Sequence, residues 1–335
     1  MADNGFSDGT GGHTTAPVTP DGRTGTGPTV AVHCGTRGSI LVDWVRGSLP
    51  DCIVVESGTP QAADAEVLAT LAGDDCEGID RDLTPSVRWV HVLGAGIDRF
   101  PLDVVGDRVL TCSRGASSPA IAEFVMASML AFEKQLPEQW ITEPPGQWNA
   151  AALGGLEGRT LGLVGLGAIG TEVARRALAF DMSVLALRRS DRPAPLDGVE
   201  LAPDLGTLLS AADHVVVAAP ATARTVHLLD AESLALLKPG AHVVNVARGT
   251  LVDNGALLAA LDDGRIARAT LDVVDPEPLP AGHPLYTHPR VRLTPHISWS
   301  APRTLLRTME LFVADVDRYR SGQPLLGTVD LQEGY

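Results

Sequence analysis

The sequence has few cysteines, few aromatic residues and little positive charge. Its four cysteines, at positions 34, 52, 76 and 112, are widely spaced and form no C-x-x-C pair. We therefore expect reduced, mostly buried thiols and no disulfide framework. Lysine and arginine number 26 against 41 acidic residues, a net charge of −15, which argues against nucleic acid as a partner.

Long apolar runs are also missing. No run approaches the roughly 20 residues that a membrane-spanning helix needs, and the N-terminus has no basic patch followed by an apolar core, so no secretory signal is expected. These absences predict a cytoplasmic protein with neither a membrane nor a nucleic acid partner. With 44% hydrophobic and 20% charged residues over 335 positions, the composition is that of a globular protein, with room for two domains at about 150 residues each.

The chain begins with a polar segment and continues as a regular alternation of short apolar runs. Residues 1–27 are rich in Gly, Thr, Asp and Pro without a periodic apolar pattern, which predicts a disordered tail. Strands that alternate with helices form parallel sheets. Strands are predicted at 29–33, 52–55, 89–93, 109–111, 160–164, 183–187, 214–218, 242–246, 269–273 and 291–293. Helices are predicted at 40–45, 62–71, 118–139, 171–179, 255–261 and 301–319.

The sequence Gly165-Leu-Gly167-Ala168-Ile169-Gly170 lies between a predicted strand and a predicted helix. Glycines in this context allow a tight turn and a close approach of the backbone to a pyrophosphate, which the helix N-terminus then stabilises. The motif alone also occurs in surface turns, but its position in an α/β series favours dinucleotide binding.

The second strand of this unit ends in Arg188, Arg189 and Ser190, where an NAD-preferring site places an acidic residue. Guanidinium groups suit a 2′-phosphate, so the sequence favours NADP over NAD. The alternative is that these are solvated loop arginines beside a site that accepts either cofactor.

Three further polar side chains follow apolar strands: Arg248, Glu277 and His296. Open α/β sheets bind ligands at the carboxyl ends of their strands. Individually the three have ordinary explanations as a surface cation, a loop acid and a capping histidine. Together they supply what reduction of a carbonyl needs, namely a cation for the carboxylate and oxygen, a proton donor, and a partner for that donor.

The C-terminal half resembles the D-isomer-specific 2-hydroxyacid dehydrogenase family in its stretches GRTLGLVGLGAIG, NVARGTLVDNGAL, LDVVDPEPLP and HPLYTHPRVRLTPHIS, and the stretch HVLGAGID resembles the family's substrate-carboxylate loop. The resemblance implies two Rossmann-like doubly wound parallel-sheet domains. A smaller flavodoxin-like substrate domain would comprise 28–121 and 300–335, with an NAD(P)-binding domain at 122–299 inserted into it. It also implies a homodimer.

The resemblance further implies a role for each matching residue. Arg248 would bind the substrate carboxylate together with the loop Gly94, Ala95 and Gly96, His296 would be the general acid/base, and Glu277 would hydrogen-bond its far ring nitrogen. Trp299 would wall the substrate pocket or, equally, start the last helix. The implied cofactor-binding residues are Gly165, Gly167, Ala168, Ile169, Gly170, Arg188, Arg189, Ser190, Ala219, Pro220, Thr225, Val246, Ala247 and Asp272, with no metal site.

The resulting hypothesis is an oxidoreductase that moves a hydride between NAD(P)H, with NADPH favoured, and a small anionic 2-keto or D-2-hydroxy acid such as glyoxylate or hydroxypyruvate. The first alternative is a corepressor-like, nucleotide-sensing interaction protein on the same fold with little turnover. A second alternative is a nucleoside-thioether hydrolase with bound NAD.

Overall fold

The computed structural model describes residues 27–35, 38–150, 152–190 and 192–335. The tail predicted over residues 1–27 lies outside the described residues except for Gly27. Two compact units divide the rest. The first consists of the described residues up to Leu93 together with Phe100–Thr111 and Phe312–Thr328, and the second of Gly94–Arg99, Cys112–Leu311 and Val329–Tyr335. The predicted domain boundaries stay a prediction.

The first unit is built on a five-stranded sheet with strand order β2-β1-β3-β4-β5. Strands β1 to β4 pair in parallel. The ranges are β1 (Thr29–Val32), α1 (Ser39–Ser48), β2 (Ile53–Glu56), β3 (Val67–Thr70), β4 (Trp89–Val92) and β5 (Val109–Cys112).

The helix predicted at 62–71 is wrong. The chain instead forms a short 3-10 helix at Pro60–Ala62 and then strand β3. The Ala- and Leu-containing sequence favours a helix locally, but β3 lies between β1 and β4 with all four residues buried. Pairing on both edges and burial of both faces outweigh the weak local preference for a helix.

The second unit contains a seven-stranded, entirely parallel sheet with strand order β12-β11-β10-β9-β6-β7-β8. The strands are β6 (Thr160–Val164), β7 (Ser183–Leu187), β8 (Val199–Leu201), β9 (His214–Val217), β10 (Ala241–Asn245), β11 (Ile266–Leu271) and β12 (Val291–Leu293). The longer helices of the chain beyond α1 are α2 (Ser118–Glu133), α3 (Ala168–Leu178), α4 (Leu205–Ala211), α5 (Ala231–Leu234), α6 (Asn254–Asp262) and α7 (Thr304–Arg320).

Helices cover this sheet on both faces. Val215 and Val217 of β9 pack in one apolar core with residues of α4, α5 and α6, whereas Val216 packs in a second core with residues of α2 and α3. Because side chains alternate across a strand, the uninterrupted valine run is buried on both faces. Both sheets thus confirm the predicted α/β class. In the part of the chain that the structure describes, no helix combines the length and apolarity needed to cross a membrane.

Candidate active site

The glycine-rich turn after β6 forms a cradle. Gly165 has φ +108°, and a Cβ added there would lie 2.6 Å from the Ala219 nitrogen. A Cβ on Gly170 would lie 2.2 Å from the Gly165 carbonyl oxygen, whereas a Cβ on Gly167 would meet no atom within 4 Å. Helix α3 begins at the next residue, Ala168, followed by Ile169. The turn is therefore closely packed at Gly165 and Gly170 and open at Gly167, next to a helix N-terminus. This arrangement fits a pyrophosphate.

The first residue after β7 is Arg188, at the position where an NAD-preferring site places an acidic residue. Arg188 is half-buried and donates from Nη1 to the Pro193 carbonyl oxygen at 3.1 Å. Among the described residues its buried Nε has no hydrogen-bond partner. Arg189 and Ser190 are exposed beside it. An unsatisfied guanidinium N–H fits an anionic group at this end of the cradle.

The loop after β9 completes the side of the cradle next to Gly165. The loop contains Ala219 and Pro220, and the Thr225 hydroxyl donates to the Pro220 carbonyl oxygen at 2.8 Å. The Thr222 N–H donates in turn to Thr225 Oγ1 at 2.8 Å. Thr225 therefore stabilises the loop, and its predicted contact with a cofactor stays a prediction.

Arg248 follows β10, and the last residue of that strand sets its position. Asn245 is buried; its Oδ1 accepts from the Ala247 N–H at 3.1 Å and its Nδ2 donates to the Arg248 carbonyl oxygen at 2.9 Å. Val246 and Ala247 are buried between them. These two hydrogen bonds from the Asn245 side chain hold the backbone of the turn that places Arg248 at the carboxyl edge of the sheet.

The Arg248 guanidinium contacts the loop Gly94–Arg99, which belongs to the same unit. Its Nε donates to Asp98 Oδ1 at 2.9 Å, and its Nη2 lies 2.7 Å from the same oxygen. A Cβ on Gly96 would lie 1.9 Å from Nη2, so only glycine allows this approach. Burial alone would raise the pKa of Asp98, but the Arg248 hydrogen bond and charge, with the charge of His296, hold it below its usual value. Asp98 is therefore ionised at neutral pH.

His296 and Glu277 form a hydrogen-bonded pair. His296 Nδ1 lies 2.9 Å from Glu277 Oε2, and Glu277 Oε1 accepts from the Val274 N–H at 3.2 Å. Both side chains are partly exposed. Since a carboxylate can only accept, Nδ1 carries a hydrogen and Nε2 is left to hold or release a proton.

Asp272 holds the segment that carries His296. It follows β11 and is 1% exposed, and its carboxylate accepts from the Thr294 hydroxyl at 2.6 Å and from the Ile297 and Ser298 N–H groups at 2.9 Å each. Three hydrogen bonds to one buried carboxylate fix the turn on both sides of the imidazole. The contact of Asp272 with a nicotinamide stays a prediction.

His296 itself adopts a left-handed backbone, with φ +55°. Its N–H donates to the Asp272 carbonyl oxygen at 2.9 Å, and its carbonyl oxygen accepts from Trp299 Nε1 at 2.9 Å. The rest of the Trp299 side chain is partly exposed, so it is available to wall a pocket. Such a conformation is uncommon for histidine and is imposed by the surrounding contacts.

Arg248, Glu277 and His296 follow strands of one sheet, as the sequence predicts, and their catalytic roles stay a prediction. Two side chains that support them were given no role from the sequence. Asp98, to which no chemistry was assigned, pairs with Arg248 and is within electrostatic reach of His296. Asn245 lies within the strand predicted at 242–246 and had no role of its own in that prediction. A polar residue at the last position of an otherwise valine-rich strand is the signal that marks it.

Comparison with known proteins agrees with this geometry. Residues 126–298 match the model for "D-isomer specific 2-hydroxyacid dehydrogenase, NAD binding domain". The glyoxylate reductase of Thermofilum pendens is 36% identical over 259 residues, 74% of this chain and 76% of that protein. The hydroxypyruvate reductase of Thermotoga maritima is 35% identical over 235 residues, 68% of this chain and 70% of that protein.

Solved structures give the same result. A D-isomer specific 2-hydroxyacid dehydrogenase from Xanthobacter autotrophicus Py2, in complex with NADPH and MES, superposes with a TM-score of 0.79 at 28% identity and covers 92% of this chain and 100% of that one. The D-3-phosphoglycerate dehydrogenases of Methanocaldococcus jannaschii, Archaeoglobus fulgidus and Bacillus subtilis match over 245 to 262 residues, and this part of the chain spans about half of their length.

Proposed function

Because the chain belongs to the D-isomer specific 2-hydroxyacid dehydrogenase family, we propose that it interconverts a small 2-keto acid and the D-2-hydroxy acid, with a nicotinamide cofactor as the hydride carrier. The observation that carries this proposal is the hydrogen-bonded pair of His296 and Glu277. Both residues follow strands of the parallel sheet that also contains β6, the strand before the glycine-rich turn. Arg248 follows β10 at the same edge of this sheet and supplies the positive charge that an anionic substrate needs.

Each side chain has a defined task in the reductive direction. When bound, the reduced nicotinamide supplies the hydride. Arg248 binds the substrate carboxylate, and Asp98 holds the guanidinium in place through Nε and Nη2. His296 Nε2 donates a proton to the carbonyl oxygen as negative charge develops there, and Glu277 stabilises the imidazolium through Nδ1. In the oxidative direction His296 accepts the hydroxyl proton.

The loop Gly94–Ala95–Gly96 is proposed to place backbone N–H groups on the same carboxylate. The close packing of Gly96 against the Arg248 guanidinium supports this assignment, since it brings the loop and the cation to one point. Trp299, anchored on the His296 carbonyl oxygen, is proposed to form a wall of the pocket.

For the cofactor, the finer proposal is NADP rather than NAD. Arg188, with its unpartnered Nε among the described residues, and Arg189 stand where an acid would favour NAD. The Xanthobacter relative, which was solved with NADPH, supports this direction.

The proposed function is tested with a panel of 2-keto acids, including glyoxylate, hydroxypyruvate and pyruvate, assayed by absorbance with NADPH and NADH in parallel. We expect turnover of at least one acid, and a kcat/KM at least about tenfold higher with NADPH, the effect of about one favourable charged contact. Negligible turnover across the panel, with cofactor-dependent binding of another protein, would instead support the nucleotide-sensing alternative.

A homodimer is proposed as the assembly. Trp140, Ile141 and Trp148 expose 72%, 56% and 75% of their surfaces in one segment between α2 and β6. Large aromatic side chains exposed together mark a protein interface. Light scattering on a size-exclusion column is expected to give about twice the mass of one chain, and a Trp140→Ser/Trp148→Ser variant about one. A monomeric parent protein would contradict the proposal.

A further inference from the structure

The segment Val329–Tyr335 forms a folded turn in the second unit. Asp330 Oδ1 accepts from the Gln332 and Glu333 N–H groups at 2.9 and 3.1 Å, and the Asp330 carbonyl oxygen accepts from the Gly334 N–H at 2.8 Å. Val329 is buried and anchors the turn. The Glu333 side chain thus projects from an ordered backbone.

Glu333 is held by two arginines from separate loops. Arg189 Nη1 and Arg224 Nη2 both donate to Glu333 Oε2. The Arg189 guanidinium also lies over the Tyr335 ring, 5.1 Å from its centroid. One arginine follows β7 and the other follows β9, the two strands that flank β6 and its glycine turn. The carboxylate therefore bridges the two sides of the proposed cofactor cradle.

Two guanidinium groups that converge on one oxygen form an anion site. The site is close to solvent, because Arg189, Arg224 and Glu333 expose 57%, 65% and 34% of their side chains. Exposed ion pairs contribute little net stability, so a stronger anion can displace this carboxylate. A phosphate group carries nearly two negative charges and three acceptor oxygens, and it meets both requirements.

We propose that Glu333 is a specificity-determining residue, an internal anion that occupies the position of the 2′-phosphate and lowers the affinity for NADP relative to NAD. This inference rests on the proposed NADP site. NADP must replace the carboxylate on Arg189 and Arg224 before its phosphate can bind, whereas NAD has no phosphate at that position. Arg224, which the sequence analysis did not select, then acts as the second phosphate ligand.

The test is the titration of NADP⁺, NAD⁺ and adenosine 2′-monophosphate into the full chain by calorimetry. In Glu333→Gln, which keeps the size of the side chain and removes its charge, we expect the Kd for NADP⁺ and for adenosine 2′-monophosphate to fall about tenfold, a typical effect of one charged contact. The Kd for NAD⁺ is expected to change less than twofold. The control is Glu200→Gln, which removes one charge from an exposed position on β8.

The inference is overturned if Glu333→Gln binds NADP⁺ no more tightly than Glu200→Gln does. It is also overturned if Glu333→Gln weakens NAD⁺ binding, since the carboxylate would then be an acceptor for ribose hydroxyls. An Arg188→Gln/Arg189→Gln double variant separates this inference from the proposed cofactor preference, which rests on both arginines. If the double variant leaves the Kd for NADP⁺ unchanged, the NADP proposal itself fails; if it weakens NADP⁺ binding while Glu333→Gln has no effect, only the role of Glu333 fails.

Discussion

Replacement of His296 by asparagine is expected to lower kcat for 2-keto acid reduction by about 10³-fold or more, because the reaction loses its proton donor. Asparagine is the matched replacement, since it tolerates the left-handed backbone, φ +55°, that His296 adopts. The cofactor Kd, measured by fluorescence titration, should stay within about twofold, since the glycine cradle does not depend on the imidazole. The same titration shows that the variant is folded.

Two further variants make this prediction specific. Glu277→Gln keeps the hydrogen bond to His296 Nδ1 but removes the charge that stabilises an imidazolium, so we expect an intermediate loss of kcat, about 10- to 100-fold. The control is His288→Asn. His288 pairs with Asp262 and not with Glu277, so this variant should leave kcat unchanged. Near-normal turnover by His296→Asn would refute the assignment of the acid.

Much of the second unit could be predicted because its sequence signals are local. The run of His214–Val217 predicts a strand, and since strands of a parallel sheet end at the same edge, polar residues after separate strands are expected to meet there. Arg248 and His296 do lie at that edge. The strand–turn–helix context of Gly165–Gly170 is also a local property of the chain; the helix does follow the turn, but it begins at Ala168, three residues earlier than predicted.

The features that sequence reasoning missed depend on contacts between distant segments. β3 at Val67–Thr70 is a strand because of its neighbours on both edges. Asp98 is separated from Arg248 by 150 positions, and Glu333 from Arg189 by 144. Such pairings follow from the path of the chain in space, and one sequence contains no local pattern that encodes them.

An acidic chain that binds anions must concentrate its positive charge locally. The net charge is −15, yet Arg188, Arg189, Arg224 and Arg248 all lie in segments that follow strands at the carboxyl edge of one sheet. Together with the N-terminus of α3, they create a positive region at the edge where the cofactor and substrate are proposed to bind. Asp98 and Glu333 place carboxylates within that region, where each contacts one or two of these arginines.

Replacement of Arg248 by lysine is expected to lower kcat/KM for 2-keto acids by about 10²-fold, mostly through KM. Lysine keeps the charge but loses the planar group whose Nε and Nη2 both contact Asp98 Oδ1. A single ammonium cannot hold Asp98 and orient a substrate carboxylate as the guanidinium fork does. Removal of one partner from such a charged contact typically costs about 2–5 kcal/mol, which corresponds to roughly 30- to 5 × 10³-fold.

The choice of substrate shows whether Arg248 acts on the carboxylate or on the carbonyl oxygen. With hydroxyacetone, which has a ketone but no carboxylate, the parent protein and Arg248→Lys should have similar kcat/KM values, since the contact that lysine weakens is absent. Arg265→Lys, at a partly exposed arginine that pairs with Asp263, is the matched control and should leave kcat/KM for both substrates unchanged. If Arg248→Lys lowers kcat/KM equally for both substrates, the guanidinium stabilises the developing oxyanion, and the carboxylate must be bound by the loop Gly94–Arg99 alone.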